Sequence, residues 1–227
     1  MPDLKKSRKR LSDAFNSLEF SAIWILVVVP LLSLLFISVS GESPLYTSIS
    51  RIAWVAGHRW FMLVWSLVVL FPMVCLARKV IRTSALRPRW KKALTFAAIA
   101  NILVSFVGGV FVPAKSGALD ISFFGVLHDL MTAIGWLSFG VVLTAYSICL
   151  FSADRKQAIL ALSFMIFVWM TGVFFIFYVI DPGTYCGSSA ITQVYIINML
   201  DLFLLMNDIY QTRGAQSVPP AEGNEKK

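Results

Sequence analysis

Residues 130–151 read LMTAIGWLSFGVVLTAYSICLF, a run of 22 residues without a charged side chain. As an α-helix this run is about 33 Å long, which is enough to cross the roughly 30 Å hydrocarbon layer of a bilayer. A helix also pairs its own backbone N–H and C=O groups, for which lipid offers no partners. The run therefore predicts a transmembrane helix.

Six segments of the chain qualify as membrane spans by the same criteria. They lie at 21–38, 60–77, 93–112, 130–151, 158–180 and 189–206, and the last is the most polar. The connections between them are short and leave no room for a second folded domain. With 58% hydrophobic and only 14% charged residues, against roughly 25% charged in soluble domains, the composition excludes a water-soluble globule. The predicted fold class is all-α, a polytopic membrane protein with a six-transmembrane-helix bundle.

Lysine and arginine residues are concentrated on one side of the predicted spans. Of the 20 in the chain, only Arg51, Arg59 and Lys115 fall on the other side. Because cytoplasmic loops carry the excess of basic residues, we predict cytoplasmic N- and C-termini and a multi-pass protein of the cell membrane. The predicted parts of the chain are a basic N-terminal segment at 1–20, the transmembrane domain at 21–210 and a disordered tail at 211–227.

The net charge of +8 is explained by the membrane, because clustered basic residues are each attracted to an anionic leaflet by about 1 kcal/mol. We therefore expect membrane lipids as partners and no nucleic acid. Nucleic-acid binding is the alternative interpretation of the basic run 5–10. A second copy of the chain or another membrane protein stays open as a further partner. The three cysteines and two histidines lack the spacing of a zinc site, so we expect no metal and no cofactor. A haem held by His58 and His128 is the one alternative, since two histidines are the minimum for that ligation.

Three polar side chains fall inside predicted spans, namely Asn101, Asn198 and Asp201. In hydrocarbon such groups cost a few kcal/mol unless they are paired or functional. Asp201 is expected about 8 Å from the inner end of its span and Asn101 about 12 Å, which makes them candidate partners. Small residues at every fourth position from Ala97 to Gly109 should let another helix approach closely. Two interpretations stay open, interhelical hydrogen bonding and the lining of a polar cavity or proton path.

A second polar layer is predicted at the outer ends of the spans. His58 and Arg59 open the second span, His128 and Asp129 lie at the interface before the fourth, and Gln193 lies near the start of the sixth. An arginine offers paired donors to a phosphate, so this group could hold a lipid head group. It could equally consist of interfacial side chains that pair only with one another. Four further residues at a similar level are Arg51, Asp120, Asp181 and Tyr185.

Two short motifs carry a family resemblance. The string GGVFVP at 108–113, followed by His128 and Asp129, resembles a glycine, phenylalanine–proline and histidine pattern of a six-span membrane family. That family joins the FGF-receptor-activating protein and damage-regulated autophagy modulator (DRAM) type to bacterial domain-of-unknown-function family 998. The string SSAITQ at 188–193, leading into the last span, is also similar. The resemblance implies six helices and, in eukaryotic members, a link to lipid remodelling or lipid asymmetry. It also makes His128 the strongest candidate for a functional side chain.

Together these patterns favour a protein that binds or organises a lipid or lipid-like ligand near the outer leaflet without catalysis. The candidate ligand-binding residues are His128, Asp129, His58, Arg59 and Gln193. One alternative is an intramembrane lipid-modifying enzyme in which His128 and Asp129 act as acid and base. Another is a small transporter that uses Asp201, although the first and second halves of the chain show no convincing repeat.

Overall fold

A computed structural model describes residues 17–39, 41, 48–114, 122–174 and 190–216. Within these ranges the chain forms helices joined by turns and bends, and it contains no strand. The helices are α1 (Leu18–Val39), α2 (Ile49–Trp54), α3 (Arg59–Thr83), α4 (Pro88–Phe111), α5 (Phe123–Leu150), α6 (Arg155–Phe174) and α7 (Ala190–Gln216). Six of them, all except the short α2, are long and apolar enough to cross a membrane. The predicted all-α multi-pass bundle of six spans is therefore confirmed.

Most helices extend beyond the apolar runs that predicted them. α3 continues through its basic residues to Thr83, and α4 begins at Pro88, a residue that suits the first turn because its missing N–H would be unpaired there. α5 begins at Phe123 because the hydroxyl of Ser122 accepts the N–H of Gly125 and caps the helix. Basic residues can occupy these helix ends because their long side chains let the charged groups reach the membrane interface.

The last helix differs most from its predicted bounds. α7 ends at Gln216 rather than at residue 206, so it is among the longest spans instead of a short one. Residues 211–216, which we predicted as the start of the disordered tail, are helical. The apolar window ends early because polar residues enter the sequence from Asn207 onward, and the first two of them, Asn207 and Asp208, are buried in contacts with other helices.

Two intramembrane prolines shape α1 and its contact with α3. A π-helical turn, Trp24–Val28, ends two residues before Pro30 in α1. In α3, Pro72 has no N–H to donate to the carbonyl of Val68, four residues earlier. The indole N–H of Trp24 donates to that Val68 carbonyl over 2.8 Å. A side chain of α1 therefore supplies the hydrogen bond that Pro72 removes from α3, at a carbonyl that lipid would leave unpaired.

The spans form a ring with one helix outside it. α3, α4, α5, α6 and α7 pack in sequence, α3 closes the ring against α7, and α1 lies outside against α3 and α7. The closest packing joins α4 and α5, where a Cβ added to Gly135 would collide with the Oγ of Ser105 and lie 3.0 Å from the Asn101 carbonyl. This confirms the close approach that we predicted for the stripe of small residues on α4.

Alternation of the helices gives the bundle two ends. The His128 end contains α2, the end of α4 and the starts of α3, α5 and α7. The Asp208 end contains the ends of α3, α5 and α7 and the starts of α1, α4 and α6.

Candidate functional site

His128 joins the start of α5 to the end of α4. Its side chain is 1% exposed, and its Nδ1 lies 2.7 Å from the carbonyl oxygen of Val112. Because a carbonyl only accepts, Nδ1 carries the proton and donates it in this bond. The hydroxyl of Thr132 in turn donates to the backbone carbonyl of His128 over 2.8 Å. The residues of the GGVFVP string and His128 therefore meet in space, as an interhelical fastening.

His128 and Asp129 do not form a pair. His128 lies in the second turn of α5, not before the span as predicted, because α5 begins at Phe123. Its Nε2 is buried and has no hydrogen-bond partner in the described ranges, whereas Asp129 is exposed. Successive helical residues diverge by about 100°, so adjacent positions cannot share one site by helix geometry alone. The two serines that open the SSAITQ string, Ser188 and Ser189, lie outside the described residues.

Arg59 and Gln193 hold the short helix α2 at the His128 end. The guanidinium carbon of Arg59 lies 4.2 Å from the centre of a Trp54 ring, and the Trp54 indole N–H donates to the Gly109 carbonyl over 3.2 Å. The side-chain oxygen of Gln193 accepts the backbone N–H of Ile49 over 3.0 Å. That N–H is one of the unpaired donors at a helix start, so Gln193 completes the cap of α2.

The structure thus brings several predicted ligand-binding residues to one end of the bundle. There, His128, Gln193 and Arg59 each contact a different group of the protein. His58 takes the N-cap position of α3 with no side-chain capping bond, and it is half-buried. Asp120, Asp181 and Tyr185 lie outside the described residues. The described part of the chain holds no group of three or more His, Cys, Asp or Glu residues that could bind a metal.

Asp201 lies in the middle of α7. It is about 17 Å from Ala190 along the helix and about 20 Å from Gly214, because the helix continues past residue 206, where the predicted span ended. Asp201 is 1% exposed, and neither carboxylate oxygen has a hydrogen-bond partner among the described residues. Asn101, which was a candidate partner for Asp201, therefore does not hydrogen-bond to its carboxylate.

Asn198 lies one turn before Asp201 on α7. Its Nδ2 donates to the Val194 carbonyl over 2.9 Å, while its Oδ1 is buried without a partner in the described ranges. Asn198 and Asp201 are three residues apart and share one helix face. Together they present only unpaired acceptor oxygens in the bundle interior.

A hydrogen-bonded network centred on Tyr146 lies at the Asp208 end. Its hydroxyl accepts from the side-chain amides of Gln157 over 3.2 Å and Gln211 over 3.1 Å. Gln157 also donates to the Oδ1 of Asn207 over 2.9 Å, and Gln211 also donates to the Val80 carbonyl over 3.2 Å. The network joins α3, α5, α6 and α7. It was missed because each residue is unremarkable alone, although three of them flank predicted span ends.

An ion pair lies beside this network. The Nζ of Lys79 on α3 is 2.7 Å from the Oδ2 of Asp208 on α7, and the two side chains are 21% and 2% exposed. Lys79 is the second residue after the predicted second span, and Asp208 is the second residue after the predicted sixth span. Their positions at matching span ends are the signal from which the sequence could have indicated the pair.

A groove of about 800 Å³ lies at the Asp208 end. It lies over α7, between α1 and α6. Its lining is Leu26, Asp154, Leu160, Phe164, Leu202, Leu205, Met206, Ile209, Tyr210, Arg213 and Gly214. Leu26 and Leu160 are exposed on the outside of the bundle, so this lateral groove opens sideways.

The polar residues of the lateral groove gather at its mouth. Asp154 precedes α6, and its Oδ1 accepts the backbone N–H of Gln157 over 3.0 Å and the hydroxyl of Tyr210 over 3.4 Å. Arg213, in the last turn of α7, is exposed and has no hydrogen-bond or ion-pair partner in the part of the chain that the structure describes. From Leu202 to Arg213 the groove follows α7 for about 17 Å. It therefore combines a long apolar trough with a charged entrance.

Comparisons with protein-family models, with curated proteins and with solved structures find no match to this chain. The resemblance to the six-span family of the FGF-receptor-activating and DRAM type therefore stays a prediction.

Proposed function

We propose that this protein binds a membrane lipid without turning it over, and that the lipid occupies the lateral groove. The observation that carries the proposal is the combination of the groove's volume, about 800 Å³, with its apolar walls and polar mouth. Ligand pockets commonly have volumes of roughly 300–1,000 Å³ and a few polar groups that fix orientation. An acyl chain matches the trough along α7, and a head group matches the mouth.

Retention of the lipid depends on the mouth more than on the trough. Bilayer lipid is as apolar as leucine, so an acyl chain gains no hydrophobic free energy on moving from the bilayer into the groove. Packing and polar contacts must supply the preference. Arg213 and Asp154 are the charged groups that line the groove, and Arg213 offers the paired donors that suit a phosphate.

The proposal moves the ligand away from the predicted outer cluster. There, His128 is bonded to Val112, Gln193 caps α2 and Arg59 lies over Trp54, so these side chains already have protein contacts. The lateral groove has its mouth at the Asp208 end, which we predict to be cytoplasmic from the distribution of basic residues. The bound lipid is therefore proposed to come from the inner leaflet of the cell membrane.

The test is photo-crosslinking of the full-length protein in lipid nanodiscs with a phospholipid that carries a diazirine in its acyl chain. We expect crosslinks on the groove faces of α6 and α7. Leu160→Trp should fill the groove and abolish these crosslinks.

Leu103→Trp is the matched control, because Leu103 is 52% exposed on α4 and Leu160 is 42% exposed on α6. Both changes place a tryptophan on a lipid-facing surface, but only the first enters the groove. Uniform crosslinking of all lipid-facing helices, unchanged by Leu160→Trp, would reject the proposed function.

A further inference from the structure

We propose that the mouth of the lateral groove selects a zwitterionic aminophospholipid, with its phosphate on Arg213 and its primary ammonium on Asp154. This inference rests on the proposed function and names the ligand class. Its basis is that one cavity is lined by a cation and an anion that both retain binding capacity.

Only one of the two carboxylate oxygens of Asp154 accepts hydrogen bonds from the described residues. Both of its hydrogen bonds, from the Gln157 backbone and from the Tyr210 hydroxyl, go to Oδ1. Its Oδ2 has no partner within the described ranges. A primary ammonium brings three donors and suits this free oxygen.

Arg213 supplies the complementary charge. It is three residues after Tyr210 on α7, so the two side chains share one helix face. The Tyr210 hydroxyl reaches Asp154, and Asp154, Tyr210 and Arg213 all line the same groove. A head group with a phosphate and an ammonium joined by a short linker carries the complementary charges, the negative phosphate for Arg213 and the positive ammonium for Asp154.

The two charges also disfavour the other common head groups. A phosphatidylglycerol head can bind Arg213 but places its phosphate charge near Asp154 with no cation in between. A phosphatidylcholine head carries a quaternary ammonium, which has no N–H to donate to the free oxygen. Quaternary ammonium groups are usually held by cages of several aromatic rings, and the described mouth residues include one ring, that of Tyr210.

The experiment measures lipid selection by the full-length protein. Nanodiscs are prepared with equal amounts of phosphatidylethanolamine, phosphatidylglycerol and phosphatidylcholine of identical chains, and the lipids retained on the protein are identified by native mass spectrometry. We expect at least tenfold enrichment of phosphatidylethanolamine over both competitors.

Asp154→Asn should remove that selectivity while lipid retention continues. Asparagine caps a helix as well as aspartate does, so the fold of α6 and the contact with Tyr210 are preserved. Arg213→Gln should reduce retention of every phospholipid. Asp129→Asn, which changes an exposed carboxylate at the other end of the bundle, is the control and should change nothing.

The outcomes separate this inference from the proposed function. Crosslinking in the groove without head-group preference, or a preference that survives Asp154→Asn, overturns the aminophospholipid assignment and leaves lipid binding in place. Absence of groove crosslinks overturns both.

Discussion

The indole N–H of Trp24 lies 2.8 Å from the carbonyl oxygen of Val68, the carbonyl that Pro72 leaves without its helical partner. In a span this bond does more than pair two polar groups, because lipid offers no substitute donor. It also fixes the position of α1, which lies outside the ring and forms one wall of the lateral groove.

Trp24→Phe should lower the free energy of unfolding by about 1–3 kcal/mol, since it leaves the half-buried Val68 carbonyl, which lies within a span, unpaired. The measurement is thermal or denaturant unfolding in a mild detergent. Trp90→Phe, at an exposed tryptophan near the start of α4, is the control. Pro72→Ala restores an N–H for Val68, so the loss caused by Trp24→Phe should shrink in that background. An equal loss in both backgrounds would contradict the explanation.

His128→Ala should destabilise the protein by about 1–3 kcal/mol because it leaves the half-buried Val112 carbonyl without its donor. His128→Asn keeps an N–H near the position of Nδ1 and should recover part of the loss. Lipid retained in nanodiscs should be unchanged for both variants. If His128→Ala instead removed bound lipid and left stability intact, the histidine would belong to a ligand site at its own end of the bundle.

The two single changes in the Lys79–Asp208 pair should differ in cost. Lys79→Met leaves a carboxylate that is 2% exposed without this cation, whereas Asp208→Asn leaves an ammonium that is 21% exposed and can reach toward water. We expect roughly 3 kcal/mol for the first and roughly 1 kcal/mol for the second, in unfolding measurements. The double change Lys79→Met with Asp208→Leu should cost less than Lys79→Met alone. A larger cost for Asp208→Asn would mean that the lysine is the more strongly desolvated member.

Asp201→Leu should stabilise the protein. The carboxylate has no hydrogen-bond partner in the described structure, and an unpaired buried polar group costs about 1–3 kcal/mol, which an apolar side chain of similar size avoids. The expected result is a higher melting temperature in detergent, compared with Leu200→Ala as a destabilising reference on the same helix. A lower melting temperature for Asp201→Leu would show that the carboxylate has a stabilising partner.

The apolar runs were sufficient to predict the fold, because lipid forces each long run into a helix whatever its neighbours are. They were not sufficient to predict where helices end. The basic residues after Ala77 and the polar residues after Met206 continue their helices, since Lys79 pairs with Asp208 across α3 and α7. The opposite charges at matching span ends indicate that such a pair is feasible, but which of these helices are neighbours follows from the packing and not from the sequence alone.

The candidate site was predictable only in part. The sequence indicated that Gly109, His128 and Gln193 belong to one end of the bundle, and the structure places them there. The partners of His128 and Gln193 are backbone groups of Val112 and Ile49, which no side-chain pattern reveals. The lateral groove was missed because its walls are ordinary leucines. What creates it is the placement of α1 and α6 on either side of α7.

A binding site that opens sideways into the bilayer is filled by diffusion within a leaflet, not by transfer through water. Its occupancy then follows the mole fraction of the ligand among neighbouring lipids, and the total amount of protein or lipid in a preparation has little influence. Two membranes of equal lipid content and different leaflet composition would load the same protein to different extents. The geometry of α1, α6 and α7 would thereby make the occupancy of the groove depend on the lipid composition of the leaflet.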